Sequence, residues 1–229
     1  MSDKIARRAL MGAAGAAVVA GTLGRGASAQ AQEGRIKIVG FASSPRKGMT
    51  TAAGVTVCLE AAQEHNPNIE TELIDLADYS IPAQLAAGLP LREGEVDDFP
   101  EIAEKLRDPA VAGIIVGSPV YYNTMSGLCK AFIDRCGVFR SAGFELRNKV
   151  VGALAVGGVR NGGQELTVQA IQSAMMGQEV VICGTGVPTG RIGATLWNQG
   201  DSIEGDEFGL VTARGLGQRV AELAVALHS

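Results

Sequence analysis

Histidine is nearly missing from this chain, with two in 229 residues. His65 stands just before Asn66-Pro67 and His228 beside the last residue, so neither can complete a Ser-His-Asp arrangement or a catalytic zinc site. The four cysteines, Cys58, Cys129, Cys136 and Cys183, show no C-x-x-C spacing. Cys129 and Cys136 fall on one predicted helix about 10 Å apart along its axis, too far to pair, and each is expected as a small buried hydrophobe. There is no basic excess: 20 Lys and Arg stand against 24 Asp and Glu, which argues against nucleic acid or anionic lipid as a partner. There is no long hydrophobic run either, since Ala9 to Leu23 is too short and glycine-rich to span a bilayer well. Repeats and low-complexity tracts are not visible.

What is present is a globular composition, 46% apolar and 19% charged, with 31 glycines and only 4% aromatics. That balance suits one large α/β domain with tight strand-to-helix turns. The first thirty residues read differently. A basic start (Lys4, Arg7, Arg8), the Ala/Gly/Val run and the small-residue site Ala27-Ser28-Ala29 have the form of an export signal. The paired arginines, modest hydrophobicity and Arg25 favour the twin-arginine route, although Ala6 stands where a Ser or Thr is usual. An uncleaved anchor or a loose tail are the alternatives. The division expected is residues 1–29 as signal, 30–34 as linker and 35–229 as the folded domain, with cleavage after Ala29 or Ala31. Four basic residues and one acidic residue precede Gln30, so the mature chain carries 16 basic and 23 acidic groups, net −7. It has no stable membrane span after cleavage, and its expected location is the periplasm.

The domain is organised around Val111 to Arg135, VAGIIVGSPVYYNTMSGLCKAFIDR. Ile114, Ile115 and Val116 centre a short apolar run, the pattern of a parallel strand covered on both faces, and Gly117-Ser118-Pro119 is expected to end it. Val120 to Thr124 has no helical period, which leaves its backbone groups free for something outside the chain. Ser126 and Gly127 then open a helix with Met125, Leu128, Phe132 and Cys136 on one face and Lys130, Asp134 and Arg135 on the other.

This stretch resembles the NADPH-dependent FMN reductase and iron-sulfur flavoprotein branch of the flavodoxin-like superfamily. The matching residues are Ser118, Pro119, Val120 and Tyr121, then Ser126, Gly127, Lys130, Phe132, Ile133, Asp134 and Arg135. The resemblance implies an α/β three-layer sandwich, a parallel five-stranded sheet of order 2-1-3-4-5, and FMN at the carboxyl ends where the order reverses. It implies that Ser118 to Thr124, with Tyr122, Asn123 and Gly127, wrap the isoalloxazine ring. Tyr121 and Tyr122 either stack beside the ring or belong to the core.

Taken in order, Ile36 to Phe41 reads as the first strand. Ala42-Ser43-Ser44-Pro45-Arg46-Lys47-Gly48-Met49-Thr50-Thr51 follows, then a helix through Glu64. Small hydroxyl and glycine residues between a strand and a helix start present N–H groups and hydroxyls to an anion, with the helix dipole behind them. The wording is similar to the family's phosphate loop, which implies contacts from Ser43, Ser44, Arg46, Gly48, Met49, Thr50 and Thr51; a plain helix cap by either threonine is the alternative. The G-x-x-x-x-G-K-[ST] pattern is lacking, so ATP is a poor candidate. Ile69 to Leu76 is the second strand. Iron-sulfur members of the family carry clustered cysteines after it, whereas Ala83 to Asp98 has none, so FMN without an iron-sulfur cluster is expected. Glu93, Glu95, Asp97 and Asp98 are expected to start a helix over Phe99 to Arg107.

Lys149 to Val156 is the fourth strand, followed by a glycine-rich loop and a helix through Met176. Gly162-Gly163-Gln164-Glu165 matches a family sequence lying along the flavin's pyrimidine side, which implies contacts from Gly158, Arg160, Gly162, Gly163 and Gln164. Arg160 is either a charge beside the ring or a solvated loop residue. Met175-Met176 stands where related quinone reductases have two histidines, and core filling is the simpler reading. Glu179 to Cys183 is the fifth strand, Gly184 to Gly190 a loop without the dinucleotide spacing. Gly193 to Asn198 resembles a family loop near the flavin or a subunit boundary, and a last helix runs from about Gly205 to Leu227. The resemblance implies an FMN-dependent oxidoreductase using NAD(P)H as hydride donor and reducing quinones, flavin or small electrophiles. A periplasmic electron carrier with a redox-protein partner and a non-redox binding module are the alternatives. Homo-oligomers, dimer or tetramer, are common in the family.

Overall fold

The computed structural model describes residues 35–228. The expected signal, its expected cleavage site and the expected linker lie outside the described residues. The described chain alternates strand and helix: β1 (Ile36–Ala42), α1 (Thr50–His65), β2 (Ile69–Asp75), α2 (Phe99–Arg107), β3 (Val111–Tyr121), β4 (Thr124–Met125), α3 (Gly127–Arg135), α4 (Gly137–Ser141), β5 (Val150–Gly157), α5 (Gln164–Met176), β6 (Val181–Cys183), β7 (Ala194–Trp197) and α6 (Glu207–His228). Fully buried apolar runs such as Val150–Gly157 give parallel strands that need cover on both faces. Two buried clusters supply it. Phe41, Phe99, Phe132 and Phe139 centre one, with α2, α3 and α5. Val55, Leu59, Leu216 and Val220 centre the other, beneath α1 and α6. Among the described residues no helix is long and apolar enough to cross a membrane.

The principal strands run β2-β1-β3-β5-β6, which is the expected 2-1-3-4-5 order, but the sheet has seven strands, not five. The two additions explain themselves. β6 pairs with Val150–Gly152 and β7 with Leu154–Gly157, so two short strands occupy successive halves of one sheet position. The segment expected as a loop, Gly193 to Asn198, therefore contains a strand, whose Ala194 and Leu196 alternate inward. β6 itself begins at Val181, because Glu179 takes a left-handed φ of 59°.

The third strand also runs further than expected, through Gly117-Ser118-Pro119 to Tyr121. β1 pairs with β3 only as far as Gly117, while Ser118 and Pro119 still pair with β5. Proline is tolerated there because the strand has become an edge on the β1 side. Two further expectations are corrected. Arg135 is buried, not on the polar face of α3: its guanidinium grips Asp97 through two bonds of 2.7 and 2.8 Å and lies 4.7 Å from the Phe99 ring centre. That hydrogen-bonded pairing holds the Asp97 carboxyl below its ordinary range. Met175 fills the core, but Met176 is exposed.

Candidate functional site

Because β1, β3 and β5 are parallel, the loops that follow them leave one edge of the sheet. A buried serine network joins the first two. Ser43 Oγ donates to the Gly117 carbonyl at 2.5 Å, Ser126 Oγ donates to the Ser43 carbonyl at 2.6 Å, and Ser118 Oγ accepts from Ser126 N at 3.0 Å. Ser126 Oγ also accepts from Cys129 N at 3.0 Å, capping α3. The Cys129 thiol lies against Ser43 and Ser118, and burial pushes it up to about 11.

In the first loop, residues 43–49, Ser44 Oγ accepts from Arg46 N and the Asp75 carboxylate from Gly48 N at 2.8 Å. Both cations are already paired: Arg46 with Asp201 at 2.8 Å and Lys47 with Asp78 at 2.6 Å. The start of α1 is the opposite. Met49 occupies the cap position with no side-chain bond, and the first turn holds no acidic residue. Thr50 and Thr51 are largely buried there, yet both hydroxyls keep access to the surface and neither makes a side-chain bond to the described chain. A buried helix start lacking internal partners is a place for an anion. The residues thus fit a phosphate through hydroxyls and amides more than through the cations.

The second loop, expected to leave its backbone groups free for something outside the chain, is a hairpin. Val120 pairs with Met125 and Tyr121 with Thr124, and the two turn residues, Tyr122 and Asn123, take φ values of 50° and 65°. Such paired left-handed residues make the tight turn that suits strand twist. Tyr121 is 42% exposed and Tyr122 fully so, which removes both from the core. Thr124 and Gly127 are exposed beside them, with Val120 half-buried.

The hairpin tip meets the third loop, residues 158–163. Gly163, at φ 97°, lies so close that a Cβ there would stand 2.5 Å from Asn123 Oδ1. Gln164, expected to contact the cofactor, turns inward: its Nε2 donates to the Val159 carbonyl at 2.6 Å and its Oε1 accepts from Gly162 N at 2.8 Å. It shapes the loop that a ligand would meet. Gly158 accepts from Trp197 Nε1 at 3.2 Å, and Arg160 is ion-paired to the buried Asp206 and so is not simply solvated. The sequence reading missed Asp75, Asp201 and Asp206. Asp206 lay within the helix expected from about Gly205, and only the observed start of α6 at Glu207 shows it as a cap.

The cysteines do not fit an iron-sulfur cluster. Cys129 and Cys136 belong to one buried cluster and Cys58 and Cys183 to the other, across the sheet. Among the described residues no group of three or more His, Cys, Asp or Glu could hold a metal ion.

Comparison with known proteins agrees with this geometry. The family model for NADPH-dependent FMN reductase matches residues 36–191. An iron-sulfur flavoprotein of Methanocaldococcus jannaschii is 39% identical over 192 residues, 82% of this chain and 97% of the relative. An NAD(P)H dehydrogenase (quinone) of Caulobacter vibrioides is 30% identical, covering 74% of this chain and 88% of the relative. A flavodoxin, WrbA-like protein from Agrobacterium tumefaciens shares the fold, with a TM-score of 0.58 at 21% identity over 84% of this chain and 99% of its own. With its three loops, its parallel order and the matched span together, this chain belongs to the NADPH-dependent FMN reductase family of flavodoxin-like oxidoreductases.

Proposed function

We propose that the protein is an FMN-dependent NAD(P)H oxidoreductase of small electrophiles, quinones or free flavin, exported folded to the periplasm as a homo-oligomer. The observation that carries the cofactor assignment is the open start of α1, where buried Thr50 and Thr51 stand at an uncapped helix end. FMN supplies the two-electron chemistry itself, and the protein's part is placement, exposure and tuning. The first loop and α1 hold the phosphate by hydroxyls, amides and the helix dipole. The hairpin, pinned below by Ser118 and Ser126 and above by the Asn123–Gly163 contact, gives the ring a fixed wall. Tyr121 and Tyr122 offer exposed aromatic faces to the ring or to an incoming substrate. The relative's iron-sulfur centre does not carry over, because the four thiols lie in two separate clusters. Export rests on the paired Arg7-Arg8 and the Ala27-Ser28-Ala29 site alone.

The test is the visible spectrum of the purified mature protein, then anaerobic addition of NADH and NADPH. Oxidised flavin bands that bleach with a nicotinamide donor are the expected result. Bands that bleach only with dithionite or a protein donor would turn the reading to an electron carrier. Failure to take up FMN on reconstitution would remove the redox assignment.

A further inference from the structure

The segment Trp197 to Asp206 ties two of the three loops together. At its near end Asn198 N donates to the Gly157 carbonyl at 2.8 Å and Trp197 Nε1 to Gly158. In its middle Asp201 takes the guanidinium of Arg46 from the first loop. At its far end Asp206 takes that of Arg160 from the third. Each of these two loops contains one arginine, and each arginine is met by an aspartate of this one segment.

Asp206 is the more deeply set of the pair. Its side chain is 1% exposed against 39% for Arg160. One carboxylate oxygen accepts from Gly209 N at 2.9 Å and from Arg160, and the other from Trp197 N at 2.7 Å. A Cβ on Gly209 would lie 2.0 Å from that second oxygen, so the close approach requires glycine. Capping α6 through Gly209 N uses one carboxylate oxygen and holding Trp197 N uses the other, so asparagine, with a single amide oxygen, keeps the cap and gives up the Trp197 bond. Among the described residues the negative charge has a single ionic partner, Arg160, whose guanidinium lies 5.7 Å from the Trp197 ring centre. A buried carboxylate left without its cation is costly, and so is the converse arrangement of an unbalanced cation beside a ligand loop.

We propose that Asp206 is a positioning residue that fixes the third loop and neutralises Arg160, so that the potential of the bound flavin is set by loop amides and not by a free guanidinium. This rests on the FMN reading above. A reduced flavin gains negative charge on its pyrimidine side, and a cation nearby stabilises that form and raises the potential. With Asp206 and Arg160 paired the two fields largely cancel. Removing either partner alone must therefore move the potential, in opposite senses.

The experiment is a redox titration of the FMN-loaded protein against reference dyes, on wild type, Asp206→Asn, Arg160→Gln and the double variant. Asp206→Asn keeps the cap and should raise the potential, changing the ratio of reduced to oxidised FMN affinity about fivefold, as expected for one charge in a partly solvated site. Arg160→Gln leaves the carboxylate uncompensated and should lower the potential. The double variant should return close to wild type. Equal potentials in all four proteins, or two single shifts of one sign, would overturn the proposal. Arg160→Gln leaves the cap intact, so it decides the matter even if Asp206→Asn fails to fold. Wild type that takes up no FMN would instead sink the cofactor reading, a result distinct from either.

Discussion

Helices α1 and α3 begin side by side at the same edge of the sheet, after neighbouring strands β1 and β3, yet their first turns are finished in opposite ways. α3 is closed from within: Ser126 caps it through Cys129 N and at the same time donates to the Ser43 carbonyl. α1 is left open, with methionine at the cap position and two threonine hydroxyls that reach the surface without a bond to the described chain. A helix end costs stability when its N–H groups go unmet, so the open one is explained by a ligand and the closed one by the fold. The closed helix start is thus architecture that aims the open one.

That contrast can be broken most strongly at Ser126. Ser126→Ala removes a cap, worth about 1 kcal/mol, and strands the buried Ser43 carbonyl, worth about 1–3 kcal/mol more. Denaturant unfolding of the apoprotein should therefore show a loss of about 2–4 kcal/mol. At α1 the signs change. Thr51→Val removes a hydroxyl that is open to the surface and bonds to no described residue, so apoprotein stability should hold. FMN binding should weaken by about tenfold or more, the value of one hydrogen bond to a charged group, while riboflavin, which lacks the phosphate, should bind as before. Fluorescence titration with the two flavins separates the outcomes; equal losses for both would remove the phosphate from α1.

Filling the vacancy sharpens the comparison further. Met49 has the extended backbone of a cap residue, with φ −87° and ψ −162°. Met49→Asp supplies both the acceptor and the charge that α1 lacks, and the apoprotein should gain about 1 kcal/mol. The same carboxylate repels a phosphate, so FMN affinity should fall as stability rises. A variant in which both rise would mean that the anion binds elsewhere.

These two helix starts also show what was legible from the residues. Ser126 before Gly127 reads as a cap, and the hydroxyl-rich turn from Ser43 to Thr51 reads as an anion cradle, because both depend on local chemistry. Apolar runs separated by helices read as a parallel sheet, while the strand order was implied by the family resemblance of Val111 to Arg135. The split of the last strand position into β6 and β7 was hidden, since Ala194–Trp197 is four residues long and lies after a glycine-rich loop. The pairing of Arg46 with Asp201 spans 155 positions and that of Arg160 with Asp206 spans 46. No periodicity reports contacts of that kind. Arg135 was misplaced for the same reason, its partner Asp97 lying 38 positions away on the far side of α2.

The smallest effect is expected at the hairpin tip, where the question is whether exposed residues at this edge serve the fold at all. Tyr122 is fully exposed and sits at φ 50°, a conformation that a bulky L-residue holds at a cost of about 1 kcal/mol. Tyr122→Gly relieves that cost but loosens the unfolded chain by a comparable amount, about 0.5–1 kcal/mol. The two should nearly cancel, leaving apoprotein stability within about 0.5 kcal/mol of wild type. Flavin affinity should respond alone, falling a few-fold through loss of an aromatic contact worth about 0.5–1.5 kcal/mol. Denaturation and flavin titration of one variant check both halves. A stability loss of the size expected for Ser126→Ala would place Tyr122 in the framework with Ser126; a loss of affinity alone places it with Thr51, as a residue kept for the ligand.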